Sequence, residues 1–223
     1  MKNLIIMRVF YLFTMFIFFC LTSRAQETRI SMSVHPQLVW LVSDNEKVDN
    51  NGVMPGINSI LEFDFYFAKK YAFYTGVSID NIGGRLIFSD TIIFNVSGEE
   101  KSIPANTELK YRLQYLGIPL GLKLKTQEIG YTSFFLNMGF TPMINIRSKI
   151  YHQEIFPDKA NAKDETDLFN VNYFLSAGVE YSLGGTTSLI GGIGYTSGFM
   201  DVTTKPDDQI TTRSLFIKAG ILF

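Results

Sequence analysis

Period-two alternation constrains this chain more than any other feature. Eight segments carry large apolar side chains on one parity and polar or small ones on the other, at about 29–42, 57–68, 71–89, 108–125, 131–150, 168–183, 187–200 and 212–223. Successive side chains of a strand point to opposite faces, so each segment reads as a strand with two unlike faces. In the first, Ile30, Met32, Val34, Leu38 and Trp40 oppose Arg29, Ser31, Ser33, His35 and Gln37. In the fifth, Phe134, Leu136, Met138, Phe140, Ile144 and Ile146 oppose Ser133, Asn137, Gly139, Thr141, Asn145 and Arg147. The fourth changes parity near Tyr115, because Leu109, Tyr111 and Leu113 are odd while Leu116, Ile118, Leu120, Leu122 and Leu124 are even. Two accounts remain open: a β-bulge, or a membrane span confined to 116–124 with Lys110, Arg112 and Gln114 above the bilayer.

The connections alternate as well. Segments 43–56, 90–107, 151–167 and 201–211 are long, whereas those around Lys69, at 126–130 and around Gly185 are short. Long loops at one end and tight turns at the other describe an up-and-down transmembrane barrel. The apolar parity carries bulky Leu, Ile and Phe, and the polar parity carries Gly, Ser, Asn and single charges. That fits a lipid-facing exterior around a polar interior. The expected fold is therefore all-β: an eight-stranded antiparallel up-and-down transmembrane β-barrel. Closure is required because lipid cannot satisfy an open sheet edge. Aromatic residues fall in two sets that would mark the two membrane interfaces. Phe67, Tyr71, Phe73, Tyr131, Tyr181 and Phe223 lie toward the short turns, and Trp40, Phe88, Tyr151, Phe169, Tyr195 and Phe199 toward the long loops.

The N-terminus reads as an address. Lys2 and Arg8 precede an apolar run from Val9 to Leu21, and Ser23-Arg24-Ala25 offers small residues at −3 and −1 of a cut before Gln26. This is the pattern of a secretory signal peptide, 1–25, with the mature barrel domain spanning 26–223. The run is too short to cross a bilayer core of about 30 Å at a rise of about 1.5 Å per residue. The single cysteine, Cys20, lies inside this leader, so the mature chain has no disulfide. With a formal net charge of −1, the chain lacks the basic footprint of a nucleic-acid binder.

The polar parity places Arg29, Glu62, Asp64, Asp80, Lys123, Arg147, Lys149, Glu180 and Lys218 inside the barrel. Both signs are present, so paired charges in a plugged lumen are expected, since isolated buried charges are costly. Inward glycines (Gly117, Gly121, Gly178, Gly192, Gly194, Gly198) would leave some space for a narrow ligand. The long loops carry a net charge of −9, which solvation of an exposed crown accounts for. Gly, Asn, Asp and Lys dominate two of these loops and point to mobility there.

Enzyme signatures are absent from the sequence. It contains no HExxH, GxSxG, paired-cysteine metal spacing or phosphate loop. A lipid-modifying barrel enzyme would need a nucleophile with a base. His35 reads as a lumen histidine and His152, near Glu154 and Asp158, as a surface one. No catalytic residue, cofactor or metal is expected.

The terminal Ser214-Leu-Phe-Ile-Lys-Ala-Gly-Ile-Leu-Phe223 resembles the signal read by the outer-membrane barrel-insertion machinery, and the segment Tyr115-Leu-Gly-Ile-Pro-Leu-Gly-Leu-Lys-Leu-Lys125 resembles Bacteroidota outer-membrane barrels of the PorT type. That resemblance implies an OmpX- or OmpW-like eight-stranded barrel in a Gram-negative outer membrane. Phe223 would then be the terminal residue read by the barrel-insertion machinery. It also implies outer-membrane lipids and lipopolysaccharide as surroundings, other envelope proteins as partners, and a place in type IX secretion. The expected role is structural or interaction-based, with four long extracellular loops and both termini in the periplasm. The alternative is narrow transport or binding of a small or apolar solute through the lumen, as in OmpW-type barrels.

Overall fold

The computed structural model describes residues 27–96, 99–152, 155–203 and 209–223. The leader expected at 1–25 lies outside the described residues. Thirteen strands form: β1 (Glu27–Ser43), β2 (Val48–Asn50), β3 (Met54–Ala68), β4 (Tyr71–Phe88), β5 (Ile92–Val96), β6 (Glu99–Ile103), β7 (Thr107–Gly117), β8 (Leu120–Lys125), β9 (Thr132–His152), β10 (Phe156–Asn161), β11 (Phe169–Gly184), β12 (Thr187–Gly198) and β13 (Ile210–Leu222). A short 3-10 turn covers Lys163–Glu165.

Eight antiparallel wall strands close on themselves, each pairing with the next in sequence: β1, β3, β4, β7 with β8, β9, β11, β12 and β13. The ring shuts where β13 pairs with β1, from Ser31↔Leu222 to Ser43↔Ile210. The last residue joins that seam. Phe223 N–H donates to the Ile30 carbonyl at 2.8 Å, and Ile30 N–H returns a bond to Phe223 at 3.3 Å. Among the described residues every wall strand pairs with a neighbour on both sides, which is what a lipid environment demands.

One wall strand is built from two pieces. β7 and β8 share both neighbours, β4 and β9, and are separated by Ile118 and Pro119. Proline has no N–H to give the ladder, and Ile118 N–H instead reaches the Pro142 carbonyl at 3.0 Å. Facing does not change across the break. Leu109, Tyr111, Leu113, Tyr115, Gly117 and Lys123 are all buried inside, so β7 needs no bulge. The bulge sits in its partner, β9, where pairing steps from Tyr115↔Asn145 to Gln114↔Arg147 and leaves Ile146 as the extra residue.

This geometry divides the barrel into two zones of opposite logic. Toward the short turns the outside is apolar: Met32, Phe73, Phe134, Phe140, Ile193 and Ile217 are more than half exposed. The inside there is polar, with Ser31, Ser33, Gln37, Ser78, Asn137 and Ser176 buried. Toward the long loops the inside turns apolar. Leu41, Leu86, Phe88, Leu109, Tyr111 and Ile150 form one core, and Val39, Ile82, Leu113, Tyr115 and Met143 another beneath it. The odd apolar residues of β7 thus belong to the long-loop end of the barrel, whose interior follows the ordinary rule of apolar burial. Phe88 points into that core at 3% exposure and is not part of an interfacial belt.

The long connections are structured over their described parts. β2 adds to the edge of β4, β5 and β6 form a hairpin, and β10 folds back on β9. They deliver Val48, Phe94, Ile103, Phe156 and Ala162 into the upper core. These apolar residues, interleaved among the polar ones of the loops, meet in a shared core.

Candidate functional site

The clearest constellation of chemical groups lies inside the lower half of the barrel. Glu62 projects inward from β3 and Lys218 from β13. The Lys218 Nζ stands 2.6 Å from both Glu62 carboxylate oxygens. Ser31 donates to Glu62 Oε2 at 2.8 Å and Tyr74 donates its hydroxyl to Oε1 at 2.8 Å. A second cluster lies beside it. Lys123 of β8 pairs with Asp64 at 2.5 Å and with Glu180 at 2.6 Å, and Lys125 closes on the other Glu180 oxygen at 2.6 Å. The Phe135 ring lies near both clusters, with Lys123 Nζ 5.3 Å and Lys218 Nζ 5.7 Å from its centre. Those distances suit cation–π contacts.

Charge balance follows from the set. Glu62, Asp64 and Glu180 face Lys123, Lys125 and Lys218, so the girdle is neutral as a whole. Neutrality and direct pairing are what allow ions in an interior where a single unpaired charge would cost several kcal/mol, of order ~3–5. Asp80 lies further up, where it accepts from Gln37 Nε2 at 2.5 Å, and Ser214 donates to the Gln37 amide oxygen at 3.0 Å. His35 meets Ser33 Oγ at 3.0 Å and stacks on Phe216 with ring centres 4.9 Å apart.

Besides Asp80, three sequence-assigned charges lie apart from this girdle. Arg29 bonds Glu27 at 2.6 Å at the short-turn end of β1. Arg147 and Lys149, expected inside, face outward. The bulge at Ile146 reverses the parity of the upper part of β9, so Ser148 and Ile150 are buried in their place. The terminal Phe223 sets its ring on the outer wall, 52% exposed.

Parity reading missed the aromatic filling of the lumen. Phe216 occupies the space beside Gly194, where an added Cβ would lie 2.2 Å from its ring, and Phe135 does the same beside Gly178 at 2.6 Å. At Gly178 and Gly194 the missing side chain therefore leaves room for a ring rather than for a ligand. Among the described residues a cavity of about 40 Å³ lies between His35, Asp80, Phe174, Phe216 and Lys218, enough for about three waters. The sequence signal was available, since aromatics on the small-residue parity sit across from glycines. His152 accepts the Ile155 N–H at its Nδ1, 3.1 Å away. Its expected neighbours Glu154 and Asp158 lie outside the residues whose side chains are described. Among the described residues no group of three or more His, Cys, Asp or Glu is placed to hold a metal ion.

A closed antiparallel barrel with an apolar outside and a charged, filled inside is the architecture of one class of envelope protein. A family model described as an outer membrane protein beta-barrel domain matches residues 26–204. The chain belongs to this outer-membrane β-barrel family. Its place is accordingly the outer membrane of a Gram-negative envelope. No curated protein sequence matches it. Among solved structures it is similar to the Neisserial surface protein A, at 12% identity over 87% of this chain and 95% of that one, with a TM-score of 0.48. It is also similar to Ail, the attachment invasion locus protein of Yersinia pestis (16% identity, 88% and 97%, TM-score 0.39). OprG from Pseudomonas aeruginosa is a third such structure (10% identity, 88% and 95%, TM-score 0.44).

Proposed function

We propose that this protein is a sealed outer-membrane barrel that acts through its long-loop end, as a structural or interaction component of the envelope. One observation carries this reading. The loop strands β2, β5, β6 and β10 bury Val48, Phe94, Ile103 and Phe156 over the barrel mouth, against Leu41, Leu86, Tyr111 and Ile150. Below that cap the ionic girdle and the rings of Phe135 and Phe216 fill the lumen. A space of about 40 Å³ is too small for a solute larger than a few waters, which disfavours the narrow-transporter alternative. The His152 Nδ1 is held by backbone, which supports a non-enzymatic role.

In this reading the leader at 1–25 is removed on export, both termini lie in the periplasm, and the capped end faces outward. The resemblance of the 115–125 segment to PorT-type barrels supports a place in a Bacteroidota envelope assembly, with type IX secretion as its sharp form. The test has two parts. Purified barrel in planar bilayers is expected to show no stable open state, and a large steady conductance overturns the sealed reading. Affinity purification from native outer membranes in mild detergent is expected to recover other envelope proteins in stoichiometric amounts. A barrel recovered alone overturns the assembly role.

A further inference from the structure

The outer wall carries a cluster of cations that neither the sealed lumen nor the folded cap uses. Outward positions of β4, β7 and β9 form a lattice of three rows: Asn81–Gln114–Arg147, Gly83–Arg112–Lys149 and Arg85–Lys110–Tyr151. Rows are about 7 Å apart along the strands and neighbours about 4.8 Å apart across them. Five basic side chains therefore share one small patch. Glu108 pairs with Lys110 at 3.5 Å and also accepts a bond from Asn51, while Asp49 lies in the row above, opposite Ile87. The Arg85 Nε is buried with no hydrogen-bond partner.

The patch has a fixed height. The row directly below it is Ile79–Leu116–Ile144, three apolar side chains exposed on the wall. The switch from that row to the basic rows marks the level where hydrocarbon gives way to headgroups, because cations on a barrel's lipid face are tolerated only near the interface. The patch is also concave. β3 and β4 stop pairing at Ile57↔Asn81, while β2 takes up β4 only from Leu86 onward. The parting leaves an open groove of about 950 Å³ with Met54 and Pro55 along one side, the basic side chains along the other, and Gly83 between them. Apolar residues beside the groove continue down the wall through Ile57.

We propose that this groove binds the phosphorylated sugar head of an outer-leaflet glycolipid, the lipopolysaccharide anchor, with its acyl chains lying on the apolar row below. Arg112, Arg147 and Lys149 supply charge-assisted hydrogen bonds to phosphate oxygens, and Arg presents a planar fork suited to them. An anionic amphiphile matches both halves of the site, and a free anion matches only one. The proposal rests on the reading that the capped end faces outward.

Native mass spectrometry of the full mature barrel in nanodiscs of phosphatidylcholine with diphosphoryl lipid A tests it. The wild type is expected to retain diphosphoryl lipid A at least about tenfold over the dephosphorylated lipid. Added inorganic phosphate is expected not to displace it. The triple variant Arg112→Gln, Arg147→Gln, Lys149→Gln is expected to lose the preference, and Lys69→Gln with Lys70→Gln at the short-turn end to keep it. Equal retention of the two lipids by the wild type overturns the site even if the triple variant fails to fold, as does a folded triple variant that keeps the preference. Displacement by inorganic phosphate overturns the glycolipid as occupant. Orientation is read separately with Glu46→Cys in intact cells. Reaction with a membrane-impermeant maleimide is expected, and protection overturns the outer-leaflet assignment even where lipid A binds in the nanodisc.

Discussion

The ammonium group of Lys218 lies 2.6 Å from both carboxylate oxygens of Glu62, across 156 positions of sequence, with both side chains at most 2% exposed. The pair ties β13 to β3 across the intervening β1, next to the seam that closes the barrel. Removing one partner leaves a buried charge, whereas removing both leaves only a polar gap. Lys218→Met is expected to cost ~3–5 kcal/mol, and Glu62→Gln added to it to recover most of that loss. Urea unfolding in detergent micelles, followed by tryptophan fluorescence of Trp40, measures both.

The cap is held by apolar burial and should be separable from the membrane barrel. Leu86 and Phe94 are at most 1% exposed in the upper core. Truncating buried residues of this size costs ~2–5 kcal/mol each. Leu86→Ala and Phe94→Ala are expected to open the loop strands to trypsin in intact outer membranes while the wall strands stay protected. Equal protease resistance in variant and wild type would argue that the loops hold themselves without this core.

Gly84 is a position where size alone decides. It faces inward from β4, and a Cβ built on it would lie 2.3 Å from Leu41 Cγ and 2.7 Å from Leu41 Cδ1. Gly84→Val overfills the core, at an expected ~1–3 kcal/mol. Leu41→Ala in the same background is expected to return part of that loss, since it clears the atoms in conflict. Thermal unfolding of the single and double variants gives the coupling.

The wall strands were legible because each alternates, and the ends of β1, β3, β4, β9, β11, β12 and β13 fall close to the ends of the period-two segments. Other information was read only in part. Of the two accounts open for Leu109, Tyr111 and Leu113, the constant facing of β7 fits the one without a bulge in that strand, a span confined to 116–124. The barrel outgrows the bilayer, and above it the rule reverses while the facing stays constant. Phe88 was misplaced for the same reason. The loop strands were invisible because a hairpin such as β5–β6 is too short to show a period and takes its stability from the core it covers.

Acidity should tighten one corner of the cap. Asp167 lies outside the membrane-spanning segments, where burial and then the nearby Asp201 raise its carboxyl above the usual range. Its N–H bonds the Val202 carbonyl at 2.9 Å, beside the Thr166↔Thr203 bridge. A raised acid binds its proton more tightly folded than unfolded, so this corner gains stability as pH falls through the folded value and loses it as pH rises. Hydrogen exchange at Val202 and Thr203, corrected for intrinsic rates, is expected to show more opening at alkaline than at acidic pH. Asp167→Asn is expected to flatten that dependence.

Arg147 and Lys149 were assigned to the lumen because strict alternation from Asn145 puts them there, and one extra residue undoes it. Sequence alternation alone cannot register a bulge whose two members, Ile146 and Arg147, look outward together. Deleting Ile146 removes the extra residue and leaves Asn145, Ser148 and Ile150 inward, with Tyr115↔Asn145 and Gln114↔Arg147 in a plain ladder. Deleting Ser148 keeps the bulge and instead turns Lys149 inward into the place of Ser148, opposite Leu113 and beside Asn145 and Thr166, while Ile150 moves to the wall. The first deletion is expected to yield a folded barrel. The second is expected to be less stable than the first by at least about 3 kcal/mol, the scale of an unpaired buried charge. Heat-modifiable migration on gels and urea unfolding compare them. Equal stability of the two deletions would show that the upper part of β9 has no fixed facing, and would remove the wall lattice on which the glycolipid site depends.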